Sequence, residues 1–153
     1  MKKLWINALL SAMFISISIF VFAERKEKEV KIEDMPQSVQ QFIATHFDKE
    51  VIIGARIVKY GYHKVMLSNG YEALFDRQGR WLEIDNEKKL TLPASTFTLL
   101  PQSVLSYLSE KFPNSHICGM KHNKKGYEIE VSGVQHMNVS FDNKGNYINQ
   151  TID

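Results

Sequence analysis

The chain has 153 residues, 44% hydrophobic and 24% charged, with a formal net charge of +2. Its 19 basic residues include Lys2 and Lys3 ahead of an apolar run at residues 4–22; without residues 1–23, 17 basic side chains face 17 acidic ones. A neutral remainder excludes a nucleic-acid or anionic-membrane role built on overall charge, and Cys118 as the single cysteine excludes an intramolecular disulfide.

The basic start, the apolar run and the closing Val21-Phe22-Ala23 read as a secretory signal peptide over residues 1–23, cleaved after Ala23. A retained membrane anchor is the competing reading, because the run approaches the roughly 20 residues that span a bilayer. No cysteine follows Ala23 to carry a lipid. Residues 24–34 are mostly charged, with the sign alternating from Glu24 to Glu29, and are expected to form a solvated leader. About 130 residues remain, enough for one domain with a real core.

Pro36-Gln37-Ser38-Val39 then opens a helix, with proline suited to the first turn. Val39, Phe42, Ile43 and Phe47 follow at helical spacing and define one apolar stripe. From residue 51 the pattern is extended, with Gly54 marking a bulge or bend. Val65 and Leu67 alternate with Lys64, Met66 and Ser68; Ser68-Asn69-Gly70 supplies a turn, and Ala73 and Phe75 resume the alternation, which predicts a hairpin. Asp76 to Gly79 forms the next turn, in which aspartate is favoured because it hydrogen-bonds its own backbone. A final strand begins at Trp81.

The same series recurs. Pro101-Gln102-Ser103-Val104, Tyr107, Leu108 and Phe112 repeat the helix, Gly119 the bulge, Tyr127, Ile129 and Val131 with Met137, Val139 and Phe141 the hairpin, and Asp142 to Gly145 the turn. The offset is 65 at Pro36/Pro101 and 66 at Phe75/Phe141. The prediction is an α+β fold: a tandem repeat, each unit a helix covering one face of a three- to four-stranded antiparallel sheet. Its parts are a leader at 24–34, a first repeat at 35–85, a connector at 86–99 whose apolar residues pack, and a second repeat at 100–153. Two units this small are expected to pack on each other or share a sheet.

The secretion signal, the doubled Pro-x-x-Val helix and the doubled Phe-Asp-x-x-Gly-x-Trp/Tyr turn resemble the PepSY-like, β-lactamase-inhibitor-like family of small exported bacterial proteins. The resemblance spans roughly residues 35–150. It implies a β-lactamase-inhibitor-protein-like build whose open sheet face grips another protein, and it carries no inhibition with it.

Catalytic motifs are not found. His46, His63, His116, His122 and His136 lack the i, i+4 spacing of a helical zinc site, and Ser38 and Ser103 lack a nucleophile elbow. Asp76 and Asp142 read as turn residues, Cys118 as a small buried hydrophobe, and His63, aligned with Tyr127, as a satisfied half-buried histidine. No catalytic residue, metal or cofactor is assigned, although a metal site assembled across strands stays open.

Strand parity places Tyr62, Lys64, Met66 and Leu74 on the face away from the helix in the first copy, and Glu128, Glu130, Asn138 and Ser140 in the second. The expectation is a non-enzymatic, periplasmic or secreted module that binds an envelope or periplasmic protein or peptide through Tyr62, Lys64, Met66, Leu74, Glu128 and Glu130. It has no nucleic-acid partner, and no membrane contact after signal cleavage. The alternatives are a structural envelope protein without a ligand and an enzyme whose site forms only in three dimensions.

Overall fold

A computed structural model describes residues 27–153. The signal peptide at 1–23 and the first leader residues lie outside the described residues. The elements are β1 (Lys28–Glu29), α1 (Gln37–His46), β2 (Ile52–Ile57), β3 (His63–Leu67), β4 (Tyr71–Phe75), β5 (Trp81–Asn86), α2 (Gln102–Lys111), β6 (His116–Asn123), β7 (Gly126–Ser132), β8 (His136–Asp142) and β9 (Tyr147–Ile152). Short 3-10 turns at Ile32–Asp34 and Ala94–Leu99 precede the two α-helices.

The strands form one nine-stranded sheet in sequence order, each antiparallel to its neighbour. This corrects the expectation of three- to four-stranded sheets. The halves are joined through β5 and β6 by the pairs Glu83↔Lys121, Ile84↔Met120 and Asp85↔Gly119. Joining edge to edge satisfies backbone groups that two small sheets would each leave open. The leader is corrected as well, because Lys28 and Glu29 pair with Ile57 and Arg56 and cap the β2 edge.

Both helices lie on the same face. Val39 and Ile43 of α1 and Val104 and Leu108 of α2 are buried with Val65, Phe75, Ile84, Met120, Ile129, Val139 and Phe141 in one core. Phe42 meets Phe75 edge-on at 5.0 Å, and Tyr107 meets Phe141 at 5.5 Å. Within the connector, Leu92 and Thr96 are buried, and Asn86 closes its start by accepting from the amides of Lys88 and Leu90.

Pro36 and Pro101 stand one residue earlier than predicted, as N-caps with ψ of 141° and 142°. Their carbonyls accept from Val39 and Val104. The repeated motifs meet here in space. A Cβ on Gly79 would overlap Ser38 Oγ and come within 3.1 Å of Pro36 Cβ, and one on Gly145 would overlap Ser103 Oγ and approach Pro101 Cβ at 3.0 Å. Each turn is held by its aspartate. Asp76 Oδ1 accepts from the Gln78 and Arg80 amides at 2.9 Å, and Asp142 Oδ1 from Lys144 and Asn146 at 2.8 and 2.9 Å. Proline, serine, aspartate and glycine therefore recur because the turn after the second hairpin strand seats on the helix start.

Candidate functional site

The face opposite the helices carries the candidate residues, and register orders them in rows. One row runs Gly54, Met66, Glu72, Asp85, Gly119, Glu130, Asn138, Thr151, from β2 to β9. The next runs Arg56, Lys64, Leu74, Glu83, Lys121, Glu128, Ser140, Asn149. All six predicted binding residues, Tyr62, Lys64, Met66, Leu74, Glu128 and Glu130, are half-buried.

The two halves of this face differ in chemistry. In the first, Met66 covers Gly54, Leu74 lies in the adjoining row, and Ile53 beside the bulge is 69% exposed. Lys64 binds Glu72 at 2.7 Å along their flank. In the second half the bulge between Ile117 and Gly119 is the counterpart of that between Ile52 and Gly54. Cys118 takes the place of Ile53, and Glu130 that of Met66.

Glu130 is the centre of the second half. Its Oε1 accepts from Lys89 Nζ at 2.6 Å and His136 Nε2 at 2.5 Å. Asp153 Oδ2 lies 3.5 Å from the same histidine nitrogen. The carboxyls of Glu130 and Asp85 converge above Gly119, where a Cβ would come within 2.5 Å of Glu130 Oε2 and 3.1 Å of Asp85 Oδ1. The missing side chain makes room for both acids. They line a depression of about 260 Å³ together with Glu83, Glu128, Lys121 and Asp153.

The electrostatics follow from burial and crowding. Burial, then the Glu130 charge, pushes the Asp85 carboxyl up from its ordinary range. Burial acts on Glu130 in the same sense, but the hydrogen bonds from Lys89 and His136 outweigh it and hold that carboxyl down. Asp85 Oδ1 is buried there without a hydrogen-bond partner among the described residues. Burial, then Glu130, raises the Cys118 thiol to about 12, so it is no nucleophile at neutral pH. The thiol makes a long contact of 3.7 Å to the Glu130 carbonyl.

Sequence reasoning missed Asp85, Lys89, His136 and Asp153 as members of this cluster. His136 had a usable signal, since it shares the parity of Asn138; the others depend on register across β5, β6 and β9. His63 lies on the helix side opposite Phe75, half-buried as expected. Its buried Nδ1 has no hydrogen-bond partner among the described residues, which corrects the reading of a satisfied side chain.

The family model for "Putative beta-lactamase-inhibitor-like, PepSY-like" proteins matches residues 61–149. The chain belongs to this family. The fold is shared with the crystal structure of a "putative calcium-regulated periplasmic protein" of Bacteroides thetaiotaomicron, 27% identical, with a TM-score of 0.73 over 83% of this chain and 98% of that one. A "putative periplasmic protein" of Bacteroides vulgatus is 24% identical, with a TM-score of 0.72 over 82% and 97%. No curated protein matches the sequence. This PepSY-like chain therefore has the sheet and helix arrangement of periplasmic proteins.

Proposed function

We propose that this PepSY-like chain works in the periplasm as a non-enzymatic binding module, holding a protein or peptide segment against the open face of its sheet. The reading also takes α1 with β2 to β5, and α2 with β6 to β9, as two copies of one unit. The observation that carries it is the first half of the open face. Met66 and Leu74 lie there half-buried beside exposed Ile53, with the Lys64–Glu72 pair at their side and both helices on the opposite face. An apolar centre with a charged border is what a protein-binding surface offers. The periplasmic relatives of the same fold support the compartment.

Calcium regulation is the Bacteroides thetaiotaomicron protein's description. In this chain two of the acids in the depression are paired with lysines, Glu130 with Lys89 at 2.6 Å and Glu83 with Lys121 at 3.5 Å.

A photo-crosslinking side chain at position 66, compared with one at exposed Gln41 on α1, tests the reading in intact cells. The expected result is a defined adduct from position 66 that disappears when Lys64 and Leu74 are both changed to alanine. Adducts from position 41 alone, or from neither position, would overturn the sheet face as the binding surface and favour a structural envelope role.

A further inference from the structure

Three side chains of different ligand type converge in the second half of the open face. Cys118 Sγ, a Glu130 carboxylate oxygen and a His136 ring nitrogen all lie within 4.8 Å of one another. They come from the adjacent strands β6, β7 and β8, so the sheet's hydrogen bonds fix their spacing. Asp153 Oδ2 lies 3.5 Å from His136 Nε2 but is held by the Asn138 amide at 3.0 Å, outside the group of three.

The duplicated scaffold shows that the fold does not require this set. The first half places Ile53 beside its bulge where Cys118 stands, and Met66 opposite Gly54 where Glu130 faces Gly119. Isoleucine and methionine occupy the corresponding positions of the first half, so the bulge by itself does not call for a thiol and a carboxylate. The mix of sulfur, imidazole and carboxylate is soft to borderline, which suits zinc and its neighbours and not calcium or magnesium. With metal–ligand bonds of about 2.0–2.3 Å, donors around a tetrahedral zinc sit about 3.3–3.8 Å apart, so side-chain rotations of about an ångström complete the site.

We propose that Cys118, Glu130 and His136 bind one divalent cation of the zinc class, with water completing its tetrahedron. As the metal–sulfur bond forms, the thiol proton leaves to solvent, His136 turns a deprotonated ring nitrogen to the metal and keeps its proton on the other, and the metal replaces Lys89 and the imidazole N–H as partner of Glu130. The site is independent of the proposed protein-binding half around Met66, so either stands without the other.

Cobalt(II) titration of the purified protein, followed by absorption, reads the site directly and needs no variant. One equivalent should produce intense tetrahedral d–d bands and a thiolate-to-cobalt charge-transfer band, both removed by one equivalent of zinc and untouched by excess calcium. Cys118→Ser should abolish the charge-transfer band, and His136→Gln should weaken zinc binding by about 100-fold or more, with circular dichroism confirming that each variant folds. Octahedral spectra without the sulfur band, displacement by calcium, or unchanged zinc affinity in folded His136→Gln would each overturn the proposal.

Discussion

Gly79→Ala tests the seating of the repeated turn on the helix start. Gly79 has φ of +79°, where an alanine costs roughly 1–2 kcal/mol. The new Cβ would also overlap Ser38 Oγ and lie 3.1 Å from Pro36 Cβ and 3.3 Å from Val39 Cγ2. Val39 is fully buried and proline is rigid, whereas the serine hydroxyl can turn away, giving up only a 3.4 Å hydrogen bond to the Gln78 carbonyl. Crowding of this kind adds about 1–3 kcal/mol, so the expected total is about 2–5 kcal/mol. Ser38→Ala removes the overlapping oxygen and leaves the backbone cost. In that background Gly79→Ala should be milder by about 1 kcal/mol, a coupling that a double-mutant cycle resolves. Urea unfolding with an unchanged m value is the assay. A near-neutral Gly79→Ala would refute the packing of turn on helix, and equal costs in the two backgrounds would refute the Ser38 contact. The cycle of Gly145 with Ser103 should give the same sign.

Phe75→Ala and Phe141→Ala should each destabilise by about 3–5 kcal/mol in the same assay, since both rings are fully buried between sheet and helix; a loss under about 1 kcal/mol would contradict the core assignment. Burial by itself would raise the Asp76 carboxyl, but the hydrogen bonds from Arg80 and the Gln78 amide outweigh it and hold it below the usual range. A folded-state value below the unfolded one means that the unfolded chain binds the proton first. The stabilisation is thus complete above the ordinary carboxylate range and is lost as pH falls through the depressed value. Melting temperature against pH should show Asp76→Asn below the native protein at neutral pH and converging with it in acid; parallel curves would refute this. Lys64→Ala with Glu72→Ala should change stability by no more than about 1 kcal/mol, because a half-buried ion pair still in contact with water is partly screened. A larger loss in thermal unfolding would make the pair part of the fold and not of its surface.

Local structure was legible in the residues because it rests on local rules. Alternation about Val65 and Ile129 assigned the buried face, Asn69 with φ of 59° turned where the sequence placed a turn, and Gly54 and Gly119 sit in register shifts. Other features rest on contacts between distant segments. That the two hairpin sets form one sheet was settled by three residue pairs between β5 and β6, with the connector and α2 between them in the chain. Leader residues 28 and 29 became a strand only because β2 offered an open edge.

Parity alone determined which side of the sheet Glu128, Glu130, Lys64 and Met66 occupy. It could not place Cys118, because a bulge puts an extra residue into the strand and breaks the alternation on which parity depends. Nor could it bring Asp85 or Asp153 to Glu130, since cross-strand register is chosen by how the whole sheet packs against its helices. The sequence by itself thus determined the two helices, the strands after the leader, the buried faces of the hairpins and the scaffold role of its repeated motifs. Only the tertiary structure decided that the positions where the halves differ assemble an apolar patch in one and a thiol, imidazole and carboxylate cluster in the other.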